Sequence, residues 1–293
     1  MNQKQIRANC LLFLTALIWG FAFSAQRFGA QHMRPFYFNG IRFCLGSLSL
    51  VPLIVFRRTK KIAVQSTKKQ LIVAGILCGI CMFAGASLQQ IGIETTTAGK
   101  AGFVTGLYVV LVPLMGLFLR KQTGIRIWIA VLIAVIGLYL LTVSENFSIV
   151  KGDLIVLVGS LFWAFHILTI DYYSQKTDPI ELACFQFAVC SVLSLVFAFF
   201  TEEISINAVS GALIPILYGG LCSVGIAYTL QVVAQKDAKP TQASLILCLE
   251  TVFSVLGGML LLNEKMTVRM WCGCFMMFAA IIIAQLPQQQ KKA

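Results

Sequence analysis

Residues 10–28 read CLLFLTALIWGFAFSAQRF, and residues 153–173 read DLIVLVGSLFWAFHILTIDYY. Each is a continuous apolar run of the length a helix needs to cross the roughly 30 Å hydrocarbon core of a bilayer, about 20 residues at 1.5 Å each. Neither alternates apolar and polar residues, so the strands of a membrane β-barrel are excluded. Further runs of the same kind occupy 36–56, 70–91, 98–119, 127–143, 181–200, 210–231, 241–262 and 270–286. The expectation is an all-α membrane protein of ten transmembrane helices. Lys4 and Arg7 ahead of the first run imitate a secretion signal. That run is too long for one and is followed by nine more, so it is expected to be retained.

Composition agrees. Of 293 residues, 58% are apolar and 12% charged, with a mean hydropathy of +0.86. Soluble domains carry about 25% charged residues and cannot hide so much apolar surface. A disordered chain is excluded for the same reason. The longest gap between spans, 57–69, has no room for an extramembrane domain. The function is therefore expected inside the bilayer.

The net charge of +12 suggests a nucleic-acid partner until the charges are placed. With the N-terminus inside, 16 of the 23 basic residues fall on the cytoplasmic side and 5 outside, while Arg42 and Lys100 fall within spans. This bias is the positive-inside pattern. It predicts a multi-pass protein of the cytoplasmic (inner) membrane, both termini cytoplasmic, with no nucleic-acid partner. The basic outer loop 29–35 and the inner Asp178 run against the trend, which the cluster at 57–69 dominates. All ten cysteines lie within spans. Cys78 and Cys81 have CxxC spacing but no second pair or His beside them, so neither a metal site, a cofactor nor a disulfide framework is expected.

The two opening segments also match each other. Sliding 16–56 onto 160–200 gives eight identities, among them Trp19/Trp163, Pro35/Pro179 and Phe43/Phe187; composition alone gives roughly three. Arg126 and Trp128 match Arg269 and Trp271 one residue out of that register. The chain thus divides into two repeats, 1–146 and 147–293, of five spans each. Five is odd, so the second repeat enters from the opposite face. Inverted repeats are the architecture of many secondary transporters, with the substrate site near the midplane.

The first span contains ALIWGFAF and the second IRFCLG; the fourth reads TTTAGKAGFVTGLYVVLVPLMG. The ninth reads PTQASLILCLETVFSVLGGMLLLNE, after AYTLQVVAQK. Across nearly the whole chain these resemble the EamA-like branch of the drug/metabolite transporter superfamily. The resemblance implies ten spans in a five-plus-five inverted repeat, a central cavity, alternating access and transport of small metabolites, often outward. In two places the chain departs from the family pattern. Glu250 is followed by Thr251 where the family has Pro, and Asn263–Glu264 stands where it has Gly-Glu. Without the proline, the ninth helix is expected to be straighter.

Ionisable side chains within spans are costly and usually face a cavity or a partner. Glu250, near the centre of span nine, reads equally as an amine contact or proton carrier and as a structural carboxylate. Arg42 is more readily structural, pairing with Glu250 or backbone carbonyls. Lys100 can snorkel outward or face the path. His166 lies one turn beyond Trp163 and is either a titrating gate or a satisfied buried histidine. Trp19, Phe23 and Trp163 offer aromatic faces for stacking or plain packing. Gln89, Thr105, Tyr108, Tyr228, Gln231 and Ser244 supply neutral hydrogen-bonding groups that suit a small amphipathic solute. Gly75/Gly79 and Gly102/Gly106 have GxxxG spacing, which allows close helix contact in lipid and is expected to join spans three and four to each other or, in a homodimer, to a second protomer.

The leading expectation is a secondary transporter for small, amino-acid-like metabolites, exporting them on an ion or solute gradient, with a proton or cation as coupling partner. A metabolite importer and a quaternary-ammonium drug exporter stay open. A channel lacks a visible filter. An intramembrane enzyme lacks a nucleophile–base pair, paired carboxylates or a metal set.

Overall fold

The computed structural model describes residues 3–61, 66–120, 123–142, 149–203, 205–262 and 266–286. Lys121, Asn263, Glu264, Lys265, Lys291, Lys292 and the boundary at 146/147 lie outside the described residues. Among the described residues there is helix and no strand. Spans one to three are α1 (Gln3–Gly29), α2 (Pro35–Thr59) and α3 (Lys68–Ile93). Span four is α4 (Ala98–Gly106) followed by α5 (Tyr108–Phe118), and span five is α6 (Ile125–Thr142). Spans six and seven are α7 (Lys151–Tyr173) and α8 (Pro179–Thr201). After the short α9 (Ile206–Gly211), span eight runs through α10 (Leu213–Leu217), wide i→i+5 turns at Tyr218–Tyr228, and α11 (Thr229–Gln235). Span nine is α12 (Pro240–Leu247) then α13 (Glu250–Leu262), and span ten is α14 (Val268–Gln285). Nine of these segments are long and apolar enough to cross a bilayer, and Ile125–Leu141 is a shorter apolar helix. The protein is an all-α membrane protein of about ten spans.

The helix starts follow local chemistry. Pro35, Pro179 and Pro240 open α2, α8 and α12, where a missing N–H costs no intrahelical bond. Thr67, Thr97 and Thr267 cap α3, α4 and α14 by accepting from Gln70, Lys100 and Met270 N–H. Outward faces stay apolar: Leu48, Val55, Phe165 and Phe199 are exposed. Such a belt is costly in water and at home in lipid.

The packing repeats between the halves. Spans two and seven pair, as do five and ten. Span three packs on six, and eight on one; three packs on seven, and eight on two. Span four packs on six, and nine on one. Exchanging the halves turns each contact into another on this map.

Polar contacts tie the spans together at both ends. At one end Arg57 meets Asp178 at 2.9 Å and Arg58 meets Glu181 at 2.7 Å, joining α2 to α8. Asp178, the acidic residue that ran against the charge trend, is thus neutralised, and it caps α8 by accepting from Ile180 and Glu181 N–H. At the other end Glu202 accepts from the Phe36 and Tyr37 N–H groups at 2.9 and 2.8 Å. There Arg27 donates to the carbonyls of Ile93 and Glu94.

Two sequence expectations are corrected. The ninth span is not straighter: it is interrupted at Cys248–Leu249. The Leu249 N–H bonds Ile246 O and the Thr251 N–H bonds Cys248 O, both three residues back. Side chains hook this tightened turn onto span four, Thr251 Oγ1 donating to Gly102 O at 3.1 Å and Cys248 Sγ to Gly106 O at 3.4 Å. Tertiary bonds thus offset the broken ladder without a proline. Nor do the GxxxG motifs join spans three and four to each other. Gly75 and Gly79 face Phe185 and Val189 of α8, while Gly102 and Gly106 face Thr251 and Cys248 of span nine.

Candidate substrate cavity

Spans four and nine break at matching places, after Gly106 and after Leu247, and cross there. At the crossing the Tyr108 hydroxyl donates to Glu250 Oε1 at 3.1 Å. Glu250 is buried and opens α13, so the positive end of that helix dipole lies behind its charge. Both stabilise a carboxyl group that lies about 15 Å from the start of its span. Among the described residues, Tyr108 is its hydrogen-bond partner.

Above the crossing lies a cavity with walls from spans one, three, four, six, eight and nine. Span one contributes Trp19, Phe23 and Gln26, and span three Gln89. Span four contributes Thr105 and Tyr108; span six, Trp163, His166 and Ile167. Span eight contributes Ser223, Tyr228 and Gln231, and span nine Leu247 and Glu250. The contributing spans fall into the pairs one/six, three/eight and four/nine, each five spans apart. The free space is about 30 Å³, enough for about two waters at 10–15 Å³ each. Anything larger than a few water molecules enters only when the helices part.

The aromatic wall is built around Tyr228. Its ring lies 4.4 Å from Trp19 and 5.8 Å from Trp163, the latter stacked at 22°. The wide turns of span eight leave carbonyls open to span one: Trp19 Nε1 donates to Ser223 O at 3.3 Å and Thr15 Oγ1 to Ala227 O at 3.2 Å. Trp163 Nε1 donates to Gln89 Oε1, and Gln89 Nε2 to Gln26 Oε1, both at 3.0 Å. His166 Nε2 meets Gln186 Oε1 at 3.0 Å. With the Gln186 amide in this orientation the ring nitrogen is the donor.

All the expected substrate-site side chains line this cavity except Ser244. Its hydroxyl turns back to Thr241 O at 2.9 Å and is fully buried. Arg42 does not reach Glu250. It donates through Nε to Asn39 Oδ1 at 2.9 Å, and its guanidinium carbon lies 4.8 Å from the Phe43 ring and 5.5 Å from Phe38. Lys100 lies at the far end of α4, 3.9 Å from Asp153. Sequence reasoning missed Gln26, Ser223, Ile167 and Leu247. Gln26 was within reach, since it falls on the Trp19–Phe23 face two turns from Trp19. The two apolar residues carry no chemical signal. Among the described residues no group of three or more His, Cys, Asp or Glu side chains is placed to hold a metal.

An all-α membrane protein of about ten spans around a polar cavity between its helices has the build of a membrane transporter. The sequence model of the EamA-like transporter family matches residues 6–143 and again 150–285, and the chain belongs to that family. It is 32% identical to an uncharacterized transporter of Archaeoglobus fulgidus, over 97% of this chain and 87% of that one. It is 24% identical to the uncharacterized transporter YoaV of Bacillus subtilis, over 94% and 96%. It is 22% identical to the uncharacterized inner membrane transporter YedA of Escherichia coli, over 94% and 89%. A solved crystal structure shares the fold with a TM-score of 0.78 at 16% identity, over 95% of this chain and 96% of that one.

Proposed function

We propose that the protein is a secondary transporter that exports small amino-acid-like metabolites across the cytoplasmic membrane by alternating access at the Tyr108–Glu250 crossing. Its repeats, 1–146 and 147–293, are inverted relative to one another, and both termini are cytoplasmic. One observation carries the reading: the cavity is walled by three repeat-related pairs of spans, and the interrupted pair four/nine meets at its floor. Motion of one repeat against the other then opens the same residues first to one face and then to the other. The charge sorting of the sequence supports the orientation. An ion or solute gradient supplies the drive.

The test is counterflow in liposomes loaded with an unlabelled mixture of amino acids and presented with labelled ones. A carrier gives saturable uptake and transient accumulation above equilibrium. Flux without counterflow would identify a channel. No flux of any solute, with folded protein in the bilayer, would defeat the reading.

A further inference from the structure

The polar atoms around the cavity are unevenly spent. The two indole N–H groups, the Tyr108 hydroxyl and a Gln89 N–H are all donating within the protein. Of what is left over, the fully buried atoms can accept, while the Gln26 and Gln231 amide N–H groups and the Ser223 and Tyr228 hydroxyls at the cavity can still donate. Gln231 Oε1 is buried with no hydrogen-bond partner among the described residues, and so is His166 Nδ1. Because His166 Nε2 donates to Gln186, the Nδ1 of a neutral ring is a bare lone pair. Thr105 Oγ1 is also buried and unpartnered, and a hydroxyl accepts as well as donates. Glu250 adds its carboxyl oxygens, and the ring faces of Trp19, Tyr228 and Trp163 form the wall. Among the described residues no Lys or Arg lines the cavity. The nearby cation Arg42 is turned onto Phe43 and Phe38.

Buried acceptors without donors cost free energy that a ligand rich in N–H groups recovers. A primary ammonium brings three donors and a positive charge, and π faces attract it as well. A carboxylate brings only acceptors, and here it meets Glu250 without a cation to balance it. We propose that the cavity recognises its solute through a protonated primary amine, held by Glu250, Gln231 and His166 against the aromatic wall, and makes no charged contact to a carboxylate. This deepens the transport reading and rests on the same cavity.

Competition binding of n-butylammonium, n-butyrate, 1-butanol and tetramethylammonium to the full chain in detergent, read by tryptophan fluorescence, tests the inference. n-Butylammonium should bind saturably, tetramethylammonium more weakly because it has no N–H, and butyrate and butanol not measurably. Glu250→Gln should weaken n-butylammonium by about tenfold or more. Gln231→Leu, which leaves Glu250 in place, should weaken n-butylammonium several-fold and leave tetramethylammonium unchanged. If Glu250→Gln does not fold, the ligand series and Gln231→Leu still decide. Butyrate binding as tightly as n-butylammonium would overturn the proposal, as would equal loss of both cations in Gln231→Leu. Amino-acid counterflow without n-butylammonium binding would sink this inference and leave transport standing. Amine binding without counterflow of any solute would do the reverse.

Discussion

The two GxxxG motifs are alike in sequence and differ in what they press against. At Gly79 an added Cβ would lie 2.6 Å from Val189 and 3.0 Å from the backbone oxygen of Gln186; at Gly75 it would overlap Phe185. Spans three and seven are in backbone-close contact there, with no room to give. At Gly102 an added Cβ would meet Thr251 at an ordinary 3.8 Å, and at Gly106 it would press on Cys248 Sγ at 3.1 Å and Leu138 at 3.3 Å, side-chain atoms and not backbone. This second contact is held by side-chain bonds from Thr251 and Cys248 to the Gly102 and Gly106 carbonyls. One motif seals a scaffold. The other is a slack crossing fastened by hooks, with Tyr108 and Glu250 at its cavity edge. The proposed alternating access would need both, a fixed frame and a joint where helices can shift.

The comparison can be broken by substitution. Gly79→Ala should cost about 1–3 kcal/mol of stability through overpacking, read as a fall in melting temperature, with residual flux following the amount of folded protein. Unchanged melting would mean that the frame is as slack as the joint. Thr251→Pro places the proline in the first turn of α13 and should cost about 2 kcal/mol, for the lost hydroxyl bond to Gly102 O and the lost N–H bond to Cys248 O. A proline inside an intact helix costs about 3 kcal/mol, and a loss of that size would show that the break at Cys248–Leu249 is not a true interruption. Gly102→Ala should change stability least, within about 1 kcal/mol and in the stabilising direction from helix propensity. A loss equal to that of Gly79→Ala would erase the distinction between the two contacts.

How much was legible beforehand follows the same line. Spans announce themselves because a bilayer demands long apolar runs, and the proline and threonine starts are local. Most cavity residues were visible because a polar or aromatic group in such a run needs a reason to be there. Ser244 misled because a buried hydroxyl satisfied by Thr241 O, its own helix three residues back, looks the same in sequence as one facing a cavity. Lys100 was readable as a buried charge but not by partner, since Asp153 reaches it only through packing, whereas Asn39 and Phe43, the partners of Arg42, stand within a turn of it on its own helix and were overlooked. The break in span nine was misread because its cause lies on another helix, in the Gly102 and Gly106 carbonyls. The wide turns of span eight, which free Ser223 O and Ala227 O for Trp19 and Thr15, depend on span one in the same way.

The central claim is that the Glu250 carboxylate at the crossing handles the solute and does not merely support the fold. Flux and melting temperature of Glu250→Gln, measured side by side, test it most directly, because the substitution keeps the shape and removes the charge. Flux should fall at least about tenfold, or 1.4 kcal/mol, while the melting temperature stays near that of the unaltered protein. A lowered melting temperature with flux in proportion to folded protein, or full flux with unchanged stability, would contradict it.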